Sequence, residues 1–210
     1  MKRWTTALFL ACALVSGLGA ERFEHKFRAG EKYRFLSTVE EDIYVNRRLS
    51  HQAQIANRIS FEVPEVFQDG SGLLRGEFTM STRVKGLDVF VQDQSYESEY
   101  RLSKTGIYDI APRFYMPVVR NVPTFPDRDL SPGDTWAAPG EERHDFREDF
   151  GITDPFVIPF TASYTYVGSE TRDGVDLRVI KVSYTIFHRP QEPLIHSGTF
   201  PTQIAGWSEQ

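Results

Sequence analysis

Apolar and polar residues alternate along two parts of this chain, before residue 111 and after residue 156. In the stretch Glu31–Val45, every second side chain from residue 33 onward falls on one face: Tyr33, Phe35, Ser37 and Val39. The alternation resumes over residues 49–66. Because successive side chains of a strand point to opposite faces, this pattern predicts a long hairpin with its turn at residues 46–48.

Further turn signals divide the remaining strands. QDGSG at residues 68–72 predicts a turn before a strand at 73–84, and residues 87–102 predict the next strand. Near the end, Asp173-Gly174 is a strong hairpin signal between strands at 160–168 and 175–188. The more apolar face of the second of these carries Arg178, Ile180, Val182, Tyr184 and Ile186. Residues 195–207 could form a last strand, which Pro201 confines to an edge or breaks.

Residues 112–159 have a different character, because they contain eight prolines interspersed with large apolar side chains. This much proline argues against a continuous helix or a central strand. We therefore expect an ordered loop that covers the sheet, with Phe125 and Trp136 buried and a turn at Pro132-Gly133 that leads into a strand at Trp136. The one short helix we expect is GEERHDFREDFG, residues 140–151, in which Phe146 and Phe150 lie one turn apart.

These patterns predict a mainly β fold with antiparallel sheets, arranged as a sandwich or as an open or partial barrel. Residues 21–210 are enough for a single β-rich domain, or for two small ones. The net charge of −5 at pH 7 argues against a nucleic-acid partner, which normally selects for a basic surface.

Residues 1–20 have the three parts of a secretory signal peptide. Lys2 and Arg3 precede an apolar run over residues 4–15, and small residues follow at 17–20. The run is too short to span a bilayer. We expect cleavage after Ala20. Because the apolar sequence continues past Cys12, lipid attachment there is the less favoured interpretation, and the exported chain would contain no cysteine or disulfide.

Candidate chemistry is confined to a few polar groups. His144, Asp145, Glu148 and Asp149 could form a metal or acid–base cluster, but a solvated charged surface explains them better. The same applies to isolated histidines and to a carboxylate pair in a proline-bounded turn: His51, His188, His196, Asp127 and Asp129. We therefore predict no catalytic, cofactor-binding or metal-binding residue and no enzyme activity. Hydrolysis at Asp145–Asp149 is the weakest alternative.

Two segments carry a resemblance to a known family. YMPVVRNVPTFPDRDLSPGDTWAAPGEERHDFREDFGI, together with FRAGEKYRFLSTVEEDIYVN, resembles the N-terminal region of spirochaetal OmpA-family envelope proteins. In that family an exported β-rich region precedes an OmpA-like domain that binds peptidoglycan. The helix motif of that domain has no counterpart in these 210 residues, so no peptidoglycan-binding residue is carried over. The resemblance leaves open that the chain is part of a longer protein.

Two functional classes remain open. The first is a non-catalytic envelope module in the periplasm or at the outer membrane, with other envelope proteins as partners. The second is a carrier of lipid or of a small hydrophobic ligand, in which the aromatic loop closes over an open sheet. A carrier needs a continuous apolar interior, whereas a structural module needs a packed core.

Overall fold

The computed structural model describes residues 19–45, 47–84, 86, 89–145, 156–188 and 204–209. Within these residues the chain forms ten strands and no helix. The strands are β1 Lys32–Val45, β2 Arg48–Val66, β3 Gly72–Val84, β4 Val91–Leu102, β5 Tyr108–Ile110, β6 Val119–Arg120, β7 Thr135–His144, β8 Phe156–Arg172, β9 Val175–His188 and β10 Ile204–Glu209. The described part accordingly contains no helix of a length and apolarity that could cross a lipid bilayer.

The strands form two antiparallel sheets. The first sheet has the order β1-β2-β3-β4-β5 and the second has the order β10-β9-β8-β7-β6. One of the sheets curls into a half-barrel. The prediction of a mainly β fold with antiparallel sheets is therefore confirmed. Within the described residues, each extensive contact between strands joins two strands that are adjacent in the same sheet.

The predicted turns connect the long strands. β1 and β2 are joined through Arg47, which has a φ of 64°. Between β2 and β3, Phe67 N donates to Ser71 O, and the Asp69 carboxylate accepts from Ser71 N. β8 and β9 are joined by Asp173 and Gly174, both with positive φ, as a two-residue hairpin turn requires.

Each sheet has its own buried apolar cluster. In the first sheet the cluster consists of Val63, Leu74, Tyr100 and Leu102. In the second sheet it consists of Ala138, Ile158, Phe160, Ala162, Tyr164, Val182 and Ile186. The apolar face predicted for β9 is confirmed, since Val182 and Ile186 are buried and Ile180 and Tyr184 pack against the same cluster.

The proline-rich stretch contains strands that the sequence did not predict. The strand expected to start at Trp136 is present as β7, but it runs on to His144. The helix prediction is therefore wrong from Gly140 to Asp145, and residues 146–151 lie outside the described residues. Pro139 and Pro159 both lie inside strands. Pro139 pairs only with β8, because β6 reaches no further than residues 141–142 of β7. Pro159 pairs only with β7, because β9 pairs with β8 from Ser163 onward. A missing N–H is tolerated at such an edge.

Of residues 112–159, which were expected to form a covering loop, residues 112–118 and 121–134 are loop, whereas β6, β7 and the start of β8 are strands. The turn at Pro132-Gly133 is confirmed: Gly133 has a φ of 93° and its N–H donates to Tyr166 O over 2.7 Å. Trp136 and Phe125 are half-buried, and so less buried than expected. Trp136 stacks on Tyr164 with ring centroids 5.0 Å apart, and its Nε1 donates to Thr124 O.

Other predictions fall outside the described residues. These are the signal peptide up to residue 18, the fate of Cys12, and residues 189–203 with Pro201. Of the predicted last strand, the part from Ile204 onward is present as β10 and pairs with β9.

Candidate functional site

A groove crosses the first sheet over β1, β2, β3 and β4. Its volume is about 760 Å³, and a second groove of about 400 Å³ adjoins it and shares Arg34, Ser60 and Glu77 with it. The register places even-numbered β1 residues in rows across this surface: Lys32 aligns with Glu62, and Arg34 aligns with Ser60. The lining of the larger groove is Lys32, Tyr33, Arg34, Ser60, Phe61, Glu62, Arg75, Gly76, Glu77 and Glu97.

Charge is unevenly distributed along the groove. At its centre, Arg75 lies between two carboxylates, with Nη2 2.7 Å from Glu99 and Nη1 3.4 Å from Glu62. The hydrogen bonds that Arg75 donates to the Glu99 carboxylate raise the pKa of its guanidinium above the ordinary value. Lys32 and Arg34, by contrast, have no carboxylate within ion-pair distance among the described residues. The β1 side of the groove is therefore cationic and the β4 side acidic.

The opposite face of the same sheet is aromatic. Phe61 packs edge-on against Phe78 and Tyr100, and Phe35 packs edge-on against Phe61. Phe78 and Tyr100 are buried, whereas Phe35 is 54% exposed. The apolar face is therefore covered at β3 and β4 and open at β1.

A junction connects the two sheets. We use this name for residues 21–28 together with residues 111–134. On the first sheet, His25 N donates to Lys104 O and Ser98 Oγ donates to Met116 O. On the second sheet, the Glu21 carboxylate accepts hydrogen bonds from Arg178 and from Tyr166 Oη. These hydrogen bonds, mainly the one from Arg178, lower the pKa of Glu21. The junction is thus hydrogen-bonded to both sheets.

Arg120 is the central charge of the junction and is fully buried. Its guanidinium donates to three backbone carbonyls of the same loop, those of Phe114, Tyr115 and Pro117. Nη1 lies 3.7 Å from the Glu141 carboxylate. Burial lowers the pKa of Arg120 to about 10, so it remains a cation at neutral pH. Because Nε and Nη2 donate to the loop that encloses them, Arg120 is a structural clamp, whereas the buried Nη1 has no hydrogen-bond partner among the described residues.

The predicted surface cluster is only partly described. His144 is half-buried in β7 with Nε2 3.2 Å from Glu142, and Asp145 accepts a 3.4 Å hydrogen bond from Tyr96 Oη. Glu148 and Asp149 lie outside the described residues, as does His196, and the side chains of His51 and His188 are likewise not described. The described residues contain no group of three or more His, Cys, Asp or Glu that could hold a metal ion.

The carboxylates of the proline-bounded turn have structural surroundings. Asp127 forms an ion pair with Arg22, and Arg128 forms another with Asp134. Asp129 contributes its backbone carbonyl, which accepts from Arg128. Asp127 and Asp129 are therefore surface residues of the junction loop.

Sequence reasoning missed Arg120, His25 and the charged groove. The only sequence signal for Arg120 is its position in PVVRNV, where a single cation lies between apolar residues. His25 is half-buried between the rings of Phe27 and Phe125, and this burial lowers its pKa. The groove could have been found by aligning the polar positions of the predicted strands, which requires knowledge of their register.

Comparison of the chain with protein-family models, with curated proteins and with solved structures finds no match in any of the three.

Proposed function

We propose that this chain is an exported, non-catalytic module of the cell envelope that contacts other envelope proteins through its first sheet. The observation that carries the proposal is the open, charge-lined groove across β1 to β4. An open surface with separate cationic and acidic sides suits a polypeptide partner, which can present complementary charges along an extended segment. Export is inferred from residues 1–20, and no peptidoglycan-binding residue is assigned.

The groove offers little for catalysis. The hydroxyl groups that line the larger groove are those of Tyr33 and Ser60, and the second groove has those of Ser60 and Thr79. No histidine lines either groove. A serine nucleophile needs a neighbouring base to remove its proton. The central cation of the larger groove, Arg75, instead forms cross-strand ion pairs with Glu62 and Glu99.

The alternative function is binding of lipid or a small hydrophobic ligand. The observation in its favour is that apolar side chains of β1 are exposed on both faces: Leu36 is 71% exposed and Phe35 is 54% exposed. Against it, both described grooves are open and lined largely by charged or hydroxyl side chains, whereas ligand pockets enclose most of an apolar ligand.

Intact-mass spectrometry of the protein recovered from cell fractions tests the proposal. We expect an envelope fraction that contains a chain beginning at Glu21, with an unchanged mass in Cys12→Ser. Organic extraction of the same sample should release no stoichiometric lipid. A full-length cytoplasmic chain would contradict export, and one bound lipid per chain would favour the carrier.

A further inference from the structure

β1 is the outer strand of the first sheet, and its second edge has no neighbour among the described residues. It pairs regularly with β2 from Lys32 to Ile43, where a bulge interrupts the register. This stretch contains no proline, and its side chains from Lys32 to Glu40 are exposed. A long, regular edge with unpaired N–H and C=O groups is a template for another strand.

The charges on one face of β1 are sorted along the strand. Lys32 and Arg34 lie at its beginning, and Glu40 and Asp42 lie towards its end. All four share a face, since successive side chains of a strand alternate. β1 therefore has a cationic half and an anionic half.

These charges are not neutralised within the described part of the chain. Lys32 and Arg34 have no acidic partner there. The carboxylates of Glu40 and Asp42 accept hydrogen bonds from Gln54 and Gln52, which are neutral. Both halves of the strand therefore retain charge available to a partner.

We propose that β1 pairs antiparallel with β1 of a second copy of this chain, about a two-fold axis at Ser37. This register places Lys32 opposite Asp42 and Arg34 opposite Glu40, and symmetry repeats both pairs. Opposite charges directly across a strand pair are stabilising. An axis at residue 36 gives only a Lys32–Glu40 pair and an axis at residue 38 gives only an Arg34–Asp42 pair, so the charges select Ser37.

The same register also pairs apolar side chains on the aromatic face of β1. Phe35 of one copy lies opposite Val39 of the other, and these side chains are 54% and 44% exposed in the single chain. On the charged face, Leu36 lies opposite Thr38. Pairing thus covers the apolar side chains that are open at β1, and it joins two five-stranded sheets into one. The complementary strand is β1 itself, which is why we assign a second copy as the occupant. The inference holds whether or not the chain is exported.

A charge swap tests the register. Sedimentation equilibrium of the full chain should show a dimer whose dissociation constant rises with salt. Arg34→Glu and Glu40→Arg should each raise that constant by about tenfold or more, and the double variant should restore it. Arg58→Glu, which makes the same charge change on β2, should leave it near the parent value. A monomeric parent, or a double variant as weak as either single one, would overturn the proposal.

Disulfide trapping tests the axis and does not require a charge-reversed variant to fold. In a Cys12→Ser background, Ser37→Cys places two thiols opposite each other across the axis, so mild oxidation should give a covalent dimer. Ser60→Cys is exposed on β2 of the same sheet and serves as the control. Rapid trapping of Ser37→Cys alone supports the proposal, and equal trapping at both positions, or at neither, overturns it.

Discussion

Individual residues determine how the strands of each sheet, and the junction between them, pack. Glycine is required where a ring or carbonyl occupies the place of a Cβ: Phe61 lies over Gly76, its cross-strand partner, and Phe160 lies over Gly140 in the same way. His25 has a different role, because its Nε2 atom is buried and has no hydrogen-bond partner among the described residues. A buried imidazole without a partner favours its neutral form.

His25 should make stability depend on pH. Burial lowers its pKa in the folded chain, whereas the unfolded chain takes up the proton near pH 6.5. The unfolded state therefore binds more protons below that pH, and stability should fall as the pH drops from 7 through 6. Urea titrations at several pH values should show this fall. His25→Phe keeps a ring between Phe27 and Phe125 and should reduce the slope; an unchanged slope would contradict the assignment.

Trp136 should contribute less than a fully buried tryptophan. It is half-buried, stacks on Tyr164 and donates to Thr124 O. Trp136→Ala should lower the free energy of unfolding by about 2 kcal/mol, below the 3–5 kcal/mol typical of fully buried aromatic sites. Trp136→Phe keeps the stacking and should lose only about 1 kcal/mol from the missing hydrogen bond. Equal losses in the two variants, measured by chemical denaturation, would show that the ring contact is unimportant.

At the scale of elements, turns and short strands position the junction. The turn between β4 and β5 packs Gly106 against the backbone of Pro123, and Tyr108 N donates to the Asn121 side chain. Phe125 N donates to Thr105 O in the same turn. The first sheet is therefore held to the junction loop through a turn that cannot accept a larger residue.

Gly106→Ala should weaken this contact. Its φ is 92°, and an added Cβ would lie 2.1 Å from Pro123 O. Gly30 is a matched control, because it has a φ of 84° but nothing within 4 Å of the added atom. Gly30→Ala should cost about 1–2 kcal/mol from backbone strain alone. Gly106→Ala should cost clearly more in the same urea titration, and a loss no greater than that of the control would show that the turn does not pack on Pro123.

The elements also show how far the sequence could predict the structure. Alternation and the Asp173-Gly174 turn predicted the long hairpins because period-two patterning and positive-φ turns are local signals. β5 and β6 have three and two residues and carry no such signal. Only the start of β7 at Trp136 was predicted, because Pro139 argues against a central strand, and the single neighbour that makes it acceptable depends on tertiary pairing. Arg120 was missed for the same kind of reason, since its carbonyl partners are set by the loop's conformation.

In the whole molecule, we infer that the junction couples the two sheets, so that they are stabilised together. Each sheet has its own apolar cluster, so cooperation between them must pass through the junction. Arg120 belongs to β6 of the second sheet and holds the Phe114 and Tyr115 carbonyls, while Tyr115 packs near Tyr96 of the first sheet.

Hydrogen-exchange mass spectrometry of Arg120→Met tests this claim most directly. The substitution removes the donor from three carbonyls in buried or part-buried hydrogen bonds, which should destabilise the chain by about 3 kcal/mol or more. If the junction couples the sheets, amide exchange should accelerate together in β3 and β4 of the first sheet and in β8 of the second. Acceleration confined to the second sheet, with β3 and β4 exchanging as in the parent, would contradict the account.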